Sequence, residues 1–225
     1  MSSYERDRAG SLDADAVLWS APEEERAGRP LLVLMHGWSY DETHLYELLE
    51  PRLRDEIVVA SLRAPVAEAG GFAWFPSRGN PIGDPQPTVA NARTDAVLRW
   101  LDGQPVFSSI GLGGFSQGGA MVLQLIRREP RRFAYGVQFA GFVVDDVQPG
   151  DADLATLRPP VFWGRGARDG VIPESAIERT SMWMGRHTDA AVRIYPRLSH
   201  DVAGQEIDDA VAFVRSHALA LDDCN

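Results

Sequence analysis

The sequence predicts an α/β fold, a mostly parallel central sheet of about seven strands with helices on both faces. Three observations carry this expectation. Short apolar runs rich in β-branched residues recur along the chain, each bounded by Gly, Pro or charged residues. Segments of helical periodicity lie between them, and strands alternating with helices require crossovers between parallel strands, which cover the sheet on both sides. With 225 residues, 44% of them hydrophobic, the chain is long enough to bury one large core. One domain is expected over residues 12–221, with 1–11 and 222–225 as flexible termini.

The expected strands are residues 16–19, 31–35, 57–61, 109–112, 136–139, 161–163 and 192–195. The expected helices are 41–49, 88–101, 117–128, 173–186 and 204–219. Pro130 stops the third of these helices, Pro173 opens the fourth, and Ile207, Val211, Val214 and Ala218 place an apolar stripe on the fifth. One segment breaks the rhythm. Residues 64–87, "APVAEAGGFAWFPSRGNPIGDPQP", are rich in Pro and Gly around Phe72, Trp74 and Phe75. A loop this long inside a compact domain is often functional. Its aromatics either plug the core or line a substrate site.

Composition excludes several classes of function. A net charge of −10 opposes binding to nucleic acid or to an anionic membrane surface, both of which need a basic footprint. All 22 basic residues are Arg, so chemistry that needs a lysine, whether a Schiff base or a phosphate-binding loop, is ruled out. The single cysteine, Cys224, stands in the tail "LDDCN", and no intrachain disulfide can form. Neither a leader peptide nor an apolar run long enough to span a membrane is visible, so a cytoplasmic location is expected. His36 has no second His or carboxylate at ligand spacing, and neither a metal nor a cofactor is expected.

The stretch "IGLGGFSQGGA" places five glycines around Ser116. A dinucleotide fingerprint fails here, because its third glycine falls on Ser116 and no acidic residue follows at the end of a second strand. The pattern G-x-S-x-G does match, as Gly114-Phe115-Ser116-Gln117-Gly118, after an expected strand and at the opening of an expected helix. A serine thrust out on so tight a turn has a strained backbone, and small residues two positions away on either side let the chain pass. The Gln117 N–H, at the helix start, faces the place where negative charge would develop.

A serine hydroxyl is a poor nucleophile until a base takes its proton, so a histidine and an orienting acid should follow. Of five histidines, His200 in "YPRLSHDVAG" stands just past a strand and before the last helix, where a loop-borne base belongs. Asp169 in "GRGARDGVIP" is the favoured acid, since it follows strand 161–163 and precedes a helix start. Asp145 and Asp146, after the preceding strand, are its rivals. The second oxyanion donor is expected from the Trp38 N–H, because strand 31–35 runs into His36-Gly37-Trp38.

In order along the chain, "LMHGW", "GFAWFP", "GFSQGGAM", "FAGF", "GRGARDGVIP" and "LSHDV" resemble the carboxylesterase/phospholipase branch of the α/β-hydrolases, which includes acyl-protein thioesterases and small bacterial carboxylesterases. The resemblance implies an α/β-hydrolase fold with a minimal lid. It implies Ser116 as nucleophile, Asp169 as orienting acid and His200 as base, with main-chain oxyanion donors at Trp38 and Gln117. It makes Phe72, Trp74 and Phe75 substrate-pocket candidates. Three departures stand out: Pro76 where the family usually has Asp after "WF", Gly-Ala-Arg-Asp where His-Gly-x-x-Asp is common, and the bulky Trp38 after His-Gly. The expected activity is hydrolysis of a small-molecule ester through an acyl-enzyme, with a homodimer compatible with the sequence. Thioesterase or lysophospholipase activity would share the same groups, and a non-catalytic receptor on the same fold is the rival of another class.

Overall fold

A computed structural model describes residues 12–218 of the chain. The stretches expected to be flexible termini, 1–11 and 222–225, lie outside the described residues, as does Cys224. The central sheet has seven strands: β1 (Leu18–Trp19), β2 (Leu31–Met35), β3 (Val58–Leu62), β6 (Ile110–Phe115), β7 (Tyr135–Phe139), β8 (Pro160–Gly166) and β9 (Asp189–Tyr195). Their spatial order is β1-β3-β2-β6-β7-β8-β9, with β1 antiparallel to β3 and every other neighbouring pair parallel. All seven coincide with strands expected from the sequence. Two further strands, β4 (Val66–Glu68) and β5 (Gly71–Ala73), form a separate antiparallel hairpin inside the segment expected to be a loop.

Helices α1 (Thr43–Leu53), α2 (Pro87–Asp102), α3 (Gln117–Arg128), α4 (Asp151–Leu157), α5 (Glu174–His187) and α6 (Gln205–Ala218) cover the sheet. Strand β2 shows why both faces must be covered. Its Leu31, Val33 and Met35 join one buried cluster with residues of α2, α3 and α5, whereas Leu32 and Leu34 join another with α1 and α6. Successive side chains point to opposite faces, and all five here are fully buried. Each such side chain contributes roughly 1.5–3 kcal/mol by leaving water, which pins the register.

Two helices also differ from expectation. Helix α1 spans Thr43–Leu53 where residues 41–49 were expected, and it passes through Pro51. Helix α4 was not expected, because "DADLATL" buries only Leu154 and carries no apolar stripe. A tertiary ion pair holds it: Asp151 accepts from Nε and an Nη of Arg127 at 2.9 Å each.

Candidate active site

The site lies where the carboxyl ends of β6, β8 and β9 meet, the usual place for a ligand in an open α/β sheet. Ser116 follows β6 directly and precedes α3, at φ 54° and ψ −113°. A non-glycine residue held there costs on the order of 1–3 kcal/mol, so its surroundings must hold it. Its N–H donates to Phe139 O at 2.8 Å, and its own carbonyl accepts from Ala120 N at 3.0 Å. The two motif glycines leave no room for a side chain: a Cβ on Gly114 would sit 2.2 Å from Gly118 O, and one on Gly118 would sit 1.9 Å from Met35 O.

His200, in the loop after β9, reaches Ser116 Oγ with Nε2 at 3.0 Å and Asp169 Oδ2 with Nδ1 at 2.8 Å. Its ring packs against Phe115, centroid to centroid 4.9 Å. The loops carrying acid and base are sewn together, since Arg168 N donates to Leu198 O at 3.0 Å and Ala167 N to Tyr195 O at 2.9 Å. The Asp169 side chain is only 2% exposed, and its other oxygen accepts from the amides of Val171 (2.8 Å) and Ile172 (3.1 Å). Burial raises the Asp169 pKa, but hydrogen bonds from His200 and the two amides outweigh it and hold the carboxyl below its ordinary value. A fixed anion therefore faces the imidazole.

The rival acids are placed elsewhere. Asp146 accepts from Arg127 at 2.9 Å in a buried network with Gln124, Asn91 and Gln148, and Asp145 is exposed. Arg127, 1% exposed, needs these anions because an unpaired buried guanidinium would be costly.

The His36-Gly37-Trp38 turn follows β2. His36 is fully buried and braces the loop: its Nε2 accepts from Ala64 N at 3.0 Å and its Nδ1–H donates to Gly37 O at 2.7 Å. Burial lowers its pKa to about 4. Trp38 and Gln117 both border the cavity beside Ser116. The Gln117 side chain clamps the 64–87 segment: its carbonyl accepts from the amides of Trp74 (2.9 Å) and Phe75 (3.2 Å), and its amide donates to Phe75 O at 2.9 Å.

The cavity over Ser116, about 530 Å³, is walled by Trp38, Tyr40, Phe75, Ile82, Phe142 and Val171. Of the three expected pocket aromatics only Phe75 faces it. Trp74 is fully buried, with its indole N–H given to His36 O at 2.9 Å, and Phe72 lies under the Arg63 guanidinium at 4.8 Å. A three-residue strand explains the outcome, because alternate side chains of β5 and its continuation point to opposite sides. Tyr40, Ile82 and Val171 carried no signal in the sequence beyond being apolar residues in loops; Phe142 stands in the "FAGF" stretch. Among the described residues no group of three or more His, Cys, Asp or Glu is placed to hold a metal, and no helix is long and apolar enough to cross a membrane.

Acyl-protein thioesterase 1 of Mycosarcoma maydis is 31% identical over 138 residues, 56% of this chain and 55% of that protein. Acyl-protein thioesterase 1 of Eremothecium gossypii is 29% identical over 114 residues, 49% of this chain and 48% of that protein. The chain spans about half the length of these curated relatives. The crystal structure of esterase PE8 shares the fold, with a TM-score of 0.71 at 24% identity over 92% of this chain and 98% of that one. A family model described as Phospholipase/Carboxylesterase matches residues 21–218, a span that holds β2 through α6 together with Ser116, Asp169 and His200. The chain belongs to the phospholipase/carboxylesterase family.

Proposed function

We propose that the protein is a serine carboxylesterase that hydrolyses small to medium neutral acyl esters through an acyl-enzyme. The observation that carries this reading is the line from Ser116 Oγ through His200 to Asp169, with contacts of 3.0 and 2.8 Å, opening onto an apolar cavity. His200 Nε2 takes the Ser116 proton as Oγ attacks the ester carbonyl. The tetrahedral oxyanion accepts hydrogen bonds from the N–H groups of Trp38 and Gln117, at the positive end of α3. His200 then protonates the departing alkoxide, and the alcohol leaves. Water, deprotonated by the same imidazole, attacks the acyl-enzyme and returns the acid and free Ser116. Asp169 holds the imidazole in the required tautomer and stabilises its charged form.

The described residues lining the cavity include neither a carboxylate nor a guanidinium. A phosphate-bearing substrate would find no counter-charge there, and burying an unpaired charge is costly, which favours a neutral ester. Thioester hydrolysis by the same groups is the second reading, favoured by the similarity to the two acyl-protein thioesterases. The decisive experiment compares a chain-length series of p-nitrophenyl esters and acyl-thioesters on the parent and on Ser116→Ala. Parent turnover with none in the variant is the expected result. Equal turnover by both would end the proposal, and failure of Ser116 to react with a fluorophosphonate would favour a receptor.

A further inference from the structure

Trp38 follows His36-Gly37 after β2, and its side chain is held by a partner thirty residues along the chain. Although 41% exposed, its indole N–H donates to Glu68 Oε2 at 3.1 Å. Glu68 ends β4, just before the two-residue turn Ala69-Gly70, whose φ values of 54° and 84° fit the tight hairpin turn that matches strand twist. The same carboxylate accepts from the Ser77 amide, at 3.2 Å to Oε1 and 3.0 Å to Oε2, and from the Ser77 hydroxyl. The hairpin is in turn tied to the turn after β2, because Ser39 N donates to Phe72 O at 2.9 Å and Phe72 N to Tyr40 O at 2.8 Å. Trp38 and Ser77 both line the cavity, so one carboxylate joins two parts of its wall.

We infer that Glu68 is a positioning residue that fixes the Trp38 indole as a wall of the ester site, and that this wall sets how much branching beside the carbonyl the site accepts. An indole on an exposed turn has rotamer freedom to lose, and a hydrogen bond to an anion is among the stronger restraints available. The Ser77 hydroxyl, foremost, and its amide hold the Glu68 carboxyl below its ordinary pKa, so the anion persists at neutral pH. The inference rests on the esterase reading above.

The test is the ratio of kcat/KM for p-nitrophenyl pivalate over p-nitrophenyl acetate, measured with the parent, Glu68→Ala, Glu68→Gln and Trp38→Leu. Glu68→Ala and Trp38→Leu should raise the ratio about tenfold, the range that a few carbon atoms command in an apolar pocket. Glu68→Gln, whose amide oxygen still accepts the indole N–H, should keep the parent ratio. A ratio within twofold of the parent in both Glu68→Ala and Trp38→Leu overturns the inference, as does a glutamine variant that behaves like the alanine one. Fluorophosphonate labelling of Ser116 is run alongside. Variants that label and turn over acetate with an unmoved ratio sink this inference alone, whereas a parent protein that does neither sinks the esterase reading and this with it.

Discussion

The imidazole of His200 stands 3.0 Å from the hydroxyl of Ser116 across a separation of 84 residues, and its far nitrogen meets the buried Asp169 at 2.8 Å. Each contact requires a different loop at the same edge of the sheet. The first prediction concerns the weakest-looking member of the set. Asp169→Asn keeps an oxygen for the Val171 and Ile172 amides but presents the imidazole with the wrong partner. Its kcat should fall by about 10⁴-fold with little change in fold, whereas Ser116→Ala should lose on the order of 10⁶-fold. Steady-state kinetics with circular dichroism of each variant checks this, and a kcat for Asp169→Asn within tenfold of the parent would contradict it.

The turn at Ser116 gives a stability prediction with an internal control. Gly118→Ala puts a methyl 1.9 Å from Met35 O, where main chain must move, and should cost about 3 kcal/mol or more. Gly185→Ala, within α5 and with nothing within 4 Å of its added Cβ, should stabilise by roughly 0.5–1 kcal/mol. Urea unfolding of the two variants should shift the midpoint in opposite directions.

His36 predicts a pH dependence. Its folded pKa of about 4 lies below the ordinary 6.5, mainly through burial, so the native state favours neutral imidazole. The unfolded chain therefore binds the extra proton first. This stability is present above pH 6.5 and is lost as pH falls toward 4, by roughly 3 kcal/mol in all. His36→Gln, which can still accept the Ala64 N–H but does not titrate there, should flatten that limb of the stability–pH curve. Equal slopes for parent and variant between those values would refute the assignment.

Glu206 predicts the opposite sign. It is fully buried, and burial first, then Asp201 and Asp209, raise its pKa to about 8 against the lowering effect of the Ala203 main chain. The native state thus keeps a proton that the unfolded chain releases near 4.5, and stability falls as pH rises from there to about 8. Replacing it with Gln should raise stability at pH 8 by roughly 4 kcal/mol and change little at pH 4. Thermal melts at the two pH values measure the difference directly.

Much of the fold was legible because its signals are local. The run Leu31–Met35, short, apolar and bounded by Pro30 and His36-Gly37, reads as a strand buried on both faces, and Ser116 between Gly114 and Gly118 reads as a strained turn because a strand precedes it and a helix follows. The hairpin of β4 and β5 was not legible, since three-residue strands carry too little periodicity to outweigh Pro and Gly around them. Nor was α4, which depends on Arg127 from another helix. The pocket aromatics show the same divide: Phe72, Trp74 and Phe75 read alike in the sequence, and only packing directs Phe75 to the cavity and Trp74 into the core.

By itself, then, the amino-acid order determined the strand–helix alternation and named Ser116, Asp169 and His200 as candidates, because residue type, short-range spacing and chain order suffice for those inferences. The tertiary structure alone decided that Asp146 neutralises Arg127 rather than facing His200, that Gln117 clamps the segment over the site, and that Glu68 grips Trp38. Those pairings join residues with no fixed spacing between them. The first two come into being only when charges and amides, stripped of water, must find partners among whatever the folded chain has brought near, and the third when the hairpin brings Glu68 beside the exposed Trp38.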